Sequence, residues 1–446
     1  MRREYNSVFV PEDEYFTIEV ETPGILRYNK DSWITSAATL QYSKNGGTWT
    51  TIVPNTGDTG AISVVAGDTI AWKGINSAIC TSVSYRCSFC ASTCTYKISG
   101  NIMSLLAGDD FKNAYFVGCG QYTTDLGLDC FTKFFYNCTG LTDASSLALP
   151  ASGAWARPYY GMFSACTNLV HAPKEIGLTM ISGGTQALGG MFAGCTSLVD
   201  APEIKVTSLY GYNTSNEFER MFDGCISLVK PPSILPLRFD TIGSSHTYTY
   251  RLMFAGCTSL TYGPELPSTY LNSSCYYGMF SGCTSLTTAP NLPANFNQSW
   301  HAPSAYYCMF NNCTSLVNAP IMSGAATDSR SHFCMFAGCT SLKNVQSALT
   351  AHNIFGSCYE GMFSGCTSLV KAPNLTATSL TVGSTAGTYC YKNMFKGCTG
   401  LTSPPVLCAT TMVVGCYSGM FQACKSLATA PALWSTALAN YCYENM

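Results

Sequence analysis

Twenty-five cysteines stand in this chain of 446 residues, and thiols offer disulfide exchange, metal ligation and nucleophilic attack. The densest group is Cys80, Cys87, Cys90 and Cys94, the last three in Cys-Ser-Phe-Cys-Ala-Ser-Thr-Cys. A structural zinc site usually joins two Cys pairs separated by a dozen or more residues, and this spacing matches that badly. The group reads as local thiols or one disulfide, with no metal and no cofactor. The five histidines, His171, His246, His301, His332 and His352, lie without HxxxH spacing or a shared position, so neither a ligand set nor a triad is indicated. Surface loops are the expected place for them. The adjacent carboxylates Asp109 and Asp110 read as a turn or helix cap rather than an acid–base pair. No Gly-rich phosphate loop and no G-x-S-x-G elbow occurs, so the expectation is a protein without catalytic residues.

Most of the cysteines belong to something else. The frame Met-Phe-x-x-Cys-x-x-Leu-x-x-x-Pro recurs with its Cys at 138, 166, 195, 225, 257, 283, 313, 339, 366, 398 and 424, at spacings of 26 to 32 residues. Phe stands three residues before the Cys and Leu three after it in all eleven copies, as in Phe163-Cys166-Leu169, Phe192-Cys195-Leu198 and Phe280-Cys283-Leu286. Met precedes the Phe in ten copies, and Pro follows the Cys by seven in nine, with Ser145 and Gln346 the exceptions. One such unit cannot bury its Met-Phe-Leu face alone, but stacked units bury it continuously, and identical residues then form ladders. The recurring Cys reads chiefly as a column of small buried thiols, with inter-coil disulfides the alternative.

The elements follow from shorter periods. Apolar residues four apart (Leu271, Cys275, Met279, Cys283; Ile354, Cys358, Met362, Cys366) predict a short helix before each Cys. Gly in seven copies and Asn in two precede the Cys, where a helix would end in a left-handed residue. Ser-Leu-x-x-Ala-Pro then predicts a short strand limited by the proline, which has no N–H for a ladder. Each coil is therefore expected to be helix, corner, strand and returning loop. Before the repeats, alternation in residues 16–20 and 38–42, an Asn45-Gly46-Gly47 hairpin turn, and runs at 61–65 and 69–72 predict a small antiparallel β-sandwich. The expected organisation is a β-sandwich attachment domain at 1–99 and an α/β solenoid of about eleven coils at 100–446, with 100–130 as its capping coil.

These residues resemble the BspA-like leucine-rich repeat family, whose unit carries an Ala-Phe-x-x-Cys-x-x-Leu core ahead of a Pro-ended strand. The variant here, Met-Phe-Ser-Gly-Cys-Thr-Ser-Leu-Thr-Thr-Ala-Pro at 279–290, is similar to versions in surface proteins of gut bacteria and of their phages. The resemblance implies a leucine-rich solenoid and roles in adhesion or binding, and it carries over no catalytic residue.

Composition narrows the partners. Only 11% of residues are charged and the net charge is −2, so no basic stripe is present to release counterions from nucleic acid. No run reaches the 18 apolar residues of a membrane span. The N-terminus, Met-Arg-Arg-Glu-Tyr-Asn, lacks the apolar core of a secretory signal. That combination favours a phage-encoded virion fibre or decoration protein, with residues 1–99 on other virion subunits and the solenoid facing a bacterial cell-surface glycan or protein. A purely structural virion component, a bacterial surface adhesin and a homo-oligomer remain alternatives. Insertions before the predicted helices, at 238–250, 297–307 and 381–389, would share one face of a solenoid. Tyr248, Tyr250, Trp300, His301 and Tyr306 are the candidate ligand-binding residues there. Residues 438–446 begin a twelfth unit and stop at its Met, which predicts that the chain or its assembly continues, or that a partner covers the open coil.

Overall fold

The structure is a computed structural model. It describes residues 14–30, 38–52, 60–76, 79, 87–112, 125–126, 129–154, 156–182, 185–210, 215–235, 247–266, 271–292, 302–322, 328–346, 348–350, 354–380, 388–435 and 437–446. The chain divides into two compact units, 1–212 and 213–446.

In the first unit, strand alternation produces one six-stranded sheet in the order Leu141–Ala148, Tyr96–Asn101, Phe16–Val20, Thr69–Lys73, Leu40–Lys44, Thr50–Ile52. Phe16, Ile18 and Val20 point inward, and Ile18 is paired with Ile70 on one side and Ile98 on the other. The hairpin turn forms as expected. Asn45 and Gly46 both take positive φ, and the Gly47 N–H donates to the Lys44 carbonyl, the pattern of a type I′ turn. Two antiparallel ribbons, Gly24–Arg27 with Ala61–Val64 and Asn29–Lys30 with Cys87–Ser88, accompany the sheet. Where a sandwich was expected, the described residues form this one broad sheet and the two ribbons. Its edge strand Leu141–Ala148 follows the first frame Cys and runs parallel to Tyr96–Asn101. Phe16 and Phe89 reach Phe135 of that first copy at 5.8 and 6.3 Å between ring centres.

The predicted helices do not form. Among the described residues the one α-helix is Ser104–Ala107, and the segment before each Cys is a ribbon of consecutive turns. At 304–313 the N–H groups of Ser304, Tyr306, Cys308, Phe310 and Asn312 donate to carbonyls of the next coil. The intervening ones, of Tyr307, Met309, Asn311 and Cys313, donate three residues back within their own coil. Every fourth residue is left-handed, here Ser304 (φ 58°), Cys308 (52°) and Asn312 (59°). Beyond its first turn, an α-helix keeps its N–H groups for its own i−4 carbonyls. This ribbon spends half of them on its neighbour, so coils are stitched together by backbone as well as by side chains. The position before the frame Cys is left-handed in all eleven copies, from Asn137 (57°) to Ala423 (63°), as the Gly and Asn there imply.

After the Cys, in copies beyond the first, the strand shrinks to a bridge at the fifth residue, as in His171 with Asp200 and Tyr262 with Thr288. Proline two residues on prevents its extension.

Candidate binding surface

The ribbon sorts side chains by position. The frame Phe rings lie buried in register. Phe135, Phe163 and Phe192 stack at 5.2 Å in the first unit. In the second unit, Phe222 through Phe421 stack at 5.4 to 5.8 Å with interplanar angles of 3° to 7°. Among the described residues the frame cysteines are thiols and not disulfides. Cys166 and Cys195, and Cys257 through Cys424, donate their S–H to the Phe carbonyl of the preceding coil at 2.9 to 3.1 Å. That bond gives a physical reason for Cys at this position, since Ala has no donor. Burial pushes these thiols up, Cys195, Cys283 and Cys339 to about 12, opposite to the depression a nucleophilic thiol needs.

A second column, absent from the sequence reading, stands seven residues before the Cys. Tyr250, Tyr276 and Tyr306 stack at 5.6 and 5.8 Å, His332 follows, and Tyr359, Tyr391 and Tyr417 continue at 5.5 to 5.7 Å. Two expectations are corrected here. Tyr250 and Tyr306, picked as ligand-binding residues, are 1% and 2% exposed and belong to the core. His332, expected in a surface loop, fills a tyrosine's place between Tyr306 and Tyr359, and burial lowers its pKa from 6.5 to about 4. Ser331 Oγ lies 3.0 Å from its Nδ1. His171 does sit nearer the surface, its Nδ1 2.6 Å from the Asp200 carboxylate.

The half-exposed row lies one residue later, six before the Cys. Tyr277 stacks on Tyr307 at 4.5 Å and Tyr307 on Phe333 at 4.6 Å, with interplanar angles of 4° and 6°. Arg251 holds the preceding position in the row. Its guanidinium carbon lies 5.4 Å from the Tyr277 ring centre and 5.3 Å from that of Tyr248, while Nη1 binds Glu219 at 2.8 Å. Among the described residues, Tyr248 is the one sequence candidate on this surface, 38% exposed. Glu360 and Lys392 continue the row as an ion pair at 3.4 Å. Desolvation pushes the Tyr307 phenol up to about 12, so its hydroxyl stays a neutral donor and acceptor. Parallel ring faces with cationic and hydroxyl neighbours suit planar or ring-shaped partners, sugars included. Trp300 and His301 lie outside the described residues. The sequence signal for the row was the doublet Tyr276-Tyr277, Tyr306-Tyr307, His332-Phe333, in which the first member is buried and the second half-exposed.

A groove of about 530 Å³ opens between two coils of the second unit, lined by Tyr262, Pro264, Glu265, Pro290 and Asn291 among others. In the first unit, Lys73 joins Asp109 at 2.8 Å and the Tyr15 hydroxyl donates to the same carboxylate. Asp109 itself lies in the 3-10 turn Gly108–Lys112, a structural place for the acidic pair. Of the early cysteines, Cys94 is buried with its thiol pushed up by desolvation, and Cys90 is half-buried. Cys87 lies in a strand, and Cys80 falls outside the described residues. Among the described residues no three His, Cys, Asp or Glu side chains converge as a metal site, and no helix is long and apolar enough to cross a membrane.

No family model matches the chain and no curated protein matches it. Among solved structures, a leucine-rich repeat protein from Bacteroides ovatus is 16% identical with a TM-score of 0.34, covering 79% of this chain and 88% of its own. A leucine rich cell surface protein from Faecalibacterium prausnitzii is 16% identical with a TM-score of 0.22, covering 63% of this chain and 75% of its own. Likenesses this loose carry no statement about function.

Proposed function

We propose that the chain is a non-enzymatic binding protein whose repeat surface engages a bacterial cell-surface glycan or protein. The observation that carries this reading is the half-exposed row Arg251, Tyr277, Tyr307 and Phe333. Its rings are held parallel by coil stacking, so little conformational freedom is lost when a partner covers them. Side chains fixed in this way hold a binding surface ready before the partner arrives.

The test is glycan-array and whole-cell binding by the full chain and by Tyr307→Ala. Loss of a stacking ring is worth about 1 kcal/mol or more, which predicts a fall in affinity of roughly fivefold to tenfold. Binding by neither protein would favour a purely structural role. The finer reading is a virion fibre or decoration protein, attached to other virion subunits through residues 1–99. The repeat variant and the low-charge, hydroxyl-rich composition support it. Mass spectrometry of purified particles from the same source tests it, and absence of the chain from them refutes it.

A further inference from the structure

Five residues before the frame Cys, two consecutive coils both carry a second cysteine, Cys308 and Cys334. Both are left-handed, at φ 52° and 50°. Both use their N–H in the same way, Cys308 to the Phe333 carbonyl at 2.8 Å and Cys334 to the Glu360 carbonyl at 2.9 Å. The two residues are therefore in register, one coil apart. The side chains that bracket them report the local spacing: 4.6 Å for Tyr307 on Phe333 and 5.5 Å for Phe310 on Phe336. Disulfides span Cα separations of about 4.4 to 6.8 Å, and a one-coil step falls in that window. The two thiols act on each other more strongly than on any other group. Both are half-buried, so an oxidant can reach them.

The frame thiols one coil apart differ in burial and in hydrogen bonding. Cys313 and Cys339 are buried, and each S–H is committed to a Phe carbonyl. Beyond Cys334 the corresponding position is Gly361, where a Cβ would come within 2.8 Å of the Cys334 sulfur. Glycine there leaves the sulfur room to turn.

We propose that Cys308 and Cys334 form a redox-responsive inter-coil disulfide, made by exchange with a low-molecular-weight disulfide such as oxidised glutathione. The interaction between them holds Cys334 below and Cys308 above the ordinary thiol range, which favours Cys334 as the attacking group. Its thiolate displaces one glutathione thiolate and forms a mixed disulfide. Cys308 then gives its proton to solvent and attacks the Cys334 sulfur, and the second glutathione thiolate leaves. Two electrons pass to the oxidant and two protons are released, to be taken up by the glutathione thiolates. The new bond pins the coils that carry Tyr307 and Phe333, the rings beside it.

The full chain is incubated with oxidised glutathione under native conditions, denatured, alkylated and cleaved after aromatic residues. Cuts after Phe310 and Phe336 separate Cys308 from Cys313 and Cys334 from Cys339. The expected product is a Cys308–Cys334 linked peptide, two hydrogens lighter than its parts, with Cys283, Cys313 and Cys339 alkylated. In Cys308→Ser, Cys334 should retain glutathione instead. The melting temperature of the wild-type chain should rise on oxidation, and that of Cys308→Ser should not. Alkylation at both positions, glutathione retained on both, or a link among the frame thiols would each overturn the proposal, and the wild-type result alone decides it.

Discussion

Replacing Phe310 by Ala is the sharpest test of the stacked core. The ring is fully buried between Phe280 at 5.6 Å and Phe336 at 5.5 Å. Burial alone sets a cost of about 3 to 5 kcal/mol for Phe→Ala, and two ring partners of about 0.5 to 1.5 kcal/mol each place it at the upper end, near 4 to 5. The Phe310 carbonyl still accepts the Cys339 thiol in the variant, so the loss isolates the ring. Phe421 provides the comparison. It is 7% exposed, and among the described residues its stacked ring partner is Phe395. Phe421→Ala should therefore cost about 1 kcal/mol less.

Because stacked repeats open locally, a single global unfolding energy is a poor readout, and native-state hydrogen exchange is the suitable assay. The amides to follow are those that cross coils, such as Phe280 N–H to the Met309 carbonyl and Phe310 N–H to the Met335 carbonyl. A loss of about 4 kcal/mol predicts a fall in protection of about a thousandfold at these amides, fading over the next coils. A fall below tenfold, or one as large at Tyr391 as at Phe310, would refute the stacked-coil account.

Cys313→Ala removes a buried thiol and one of the two donors to the Phe280 carbonyl, which keeps the Cys283 N–H, and should cost about 1 kcal/mol by the same exchange measurement. His332 binds its proton less readily when folded, at about 4 against 6.5. The unfolded chain therefore holds more protons between those values, and stability should fall as pH drops from 6.5 towards 4, by about 1.4 kcal/mol per unit; His332→Tyr should abolish that slope in thermal melts. Gly338 has φ of 75° and an added Cβ would collide with the Asn312 side chain, whereas at Gly256 the nearest atoms stand 3.7 Å away. Gly338→Ala should therefore lower the melting temperature more than Gly256→Ala, which carries only the left-handed penalty of about 1 to 2 kcal/mol.

Ladder positions were legible in the sequence because stacking demands identity: Phe163, Cys166 and Leu169 recur because each must fit its own copy one coil away. The left-handed residue before the Cys was legible for a similar reason, since Gly and Asn tolerate positive φ best. The candidate site was legible only to within one residue. Tyr306 and Tyr307 are chemically identical and adjacent, and only the ribbon's alternation decides that the first is buried and the second half-exposed. His332 was expected in a surface loop, whereas its neighbours Tyr306 and Tyr359 show that the position asks for a flat ring. Trp300 and His301 lie in an insertion whose residues follow no frame.

Apolar residues four apart suit a helix only approximately. At about 100° per residue, a four-residue step overshoots a full turn by about 40°, and three successive steps swing the stripe by about 120° off one face. Leu271, Cys275, Met279 and Cys283 keep the interval without a three-residue correction, yet all four are buried. A repeat of four with no drift belongs to a chain that resets every four residues, and the left-handed residues at Ser274, Gly278 and Gly282 are those resets. Each one returns an N–H to point along the stacking direction, towards Pro303, Tyr307 and Asn311 of the next coil. The interval that resembles a helix is thus the signature of a backbone whose hydrogen bonds need a neighbouring coil, and a single copy of this unit should not hold its shape in isolation.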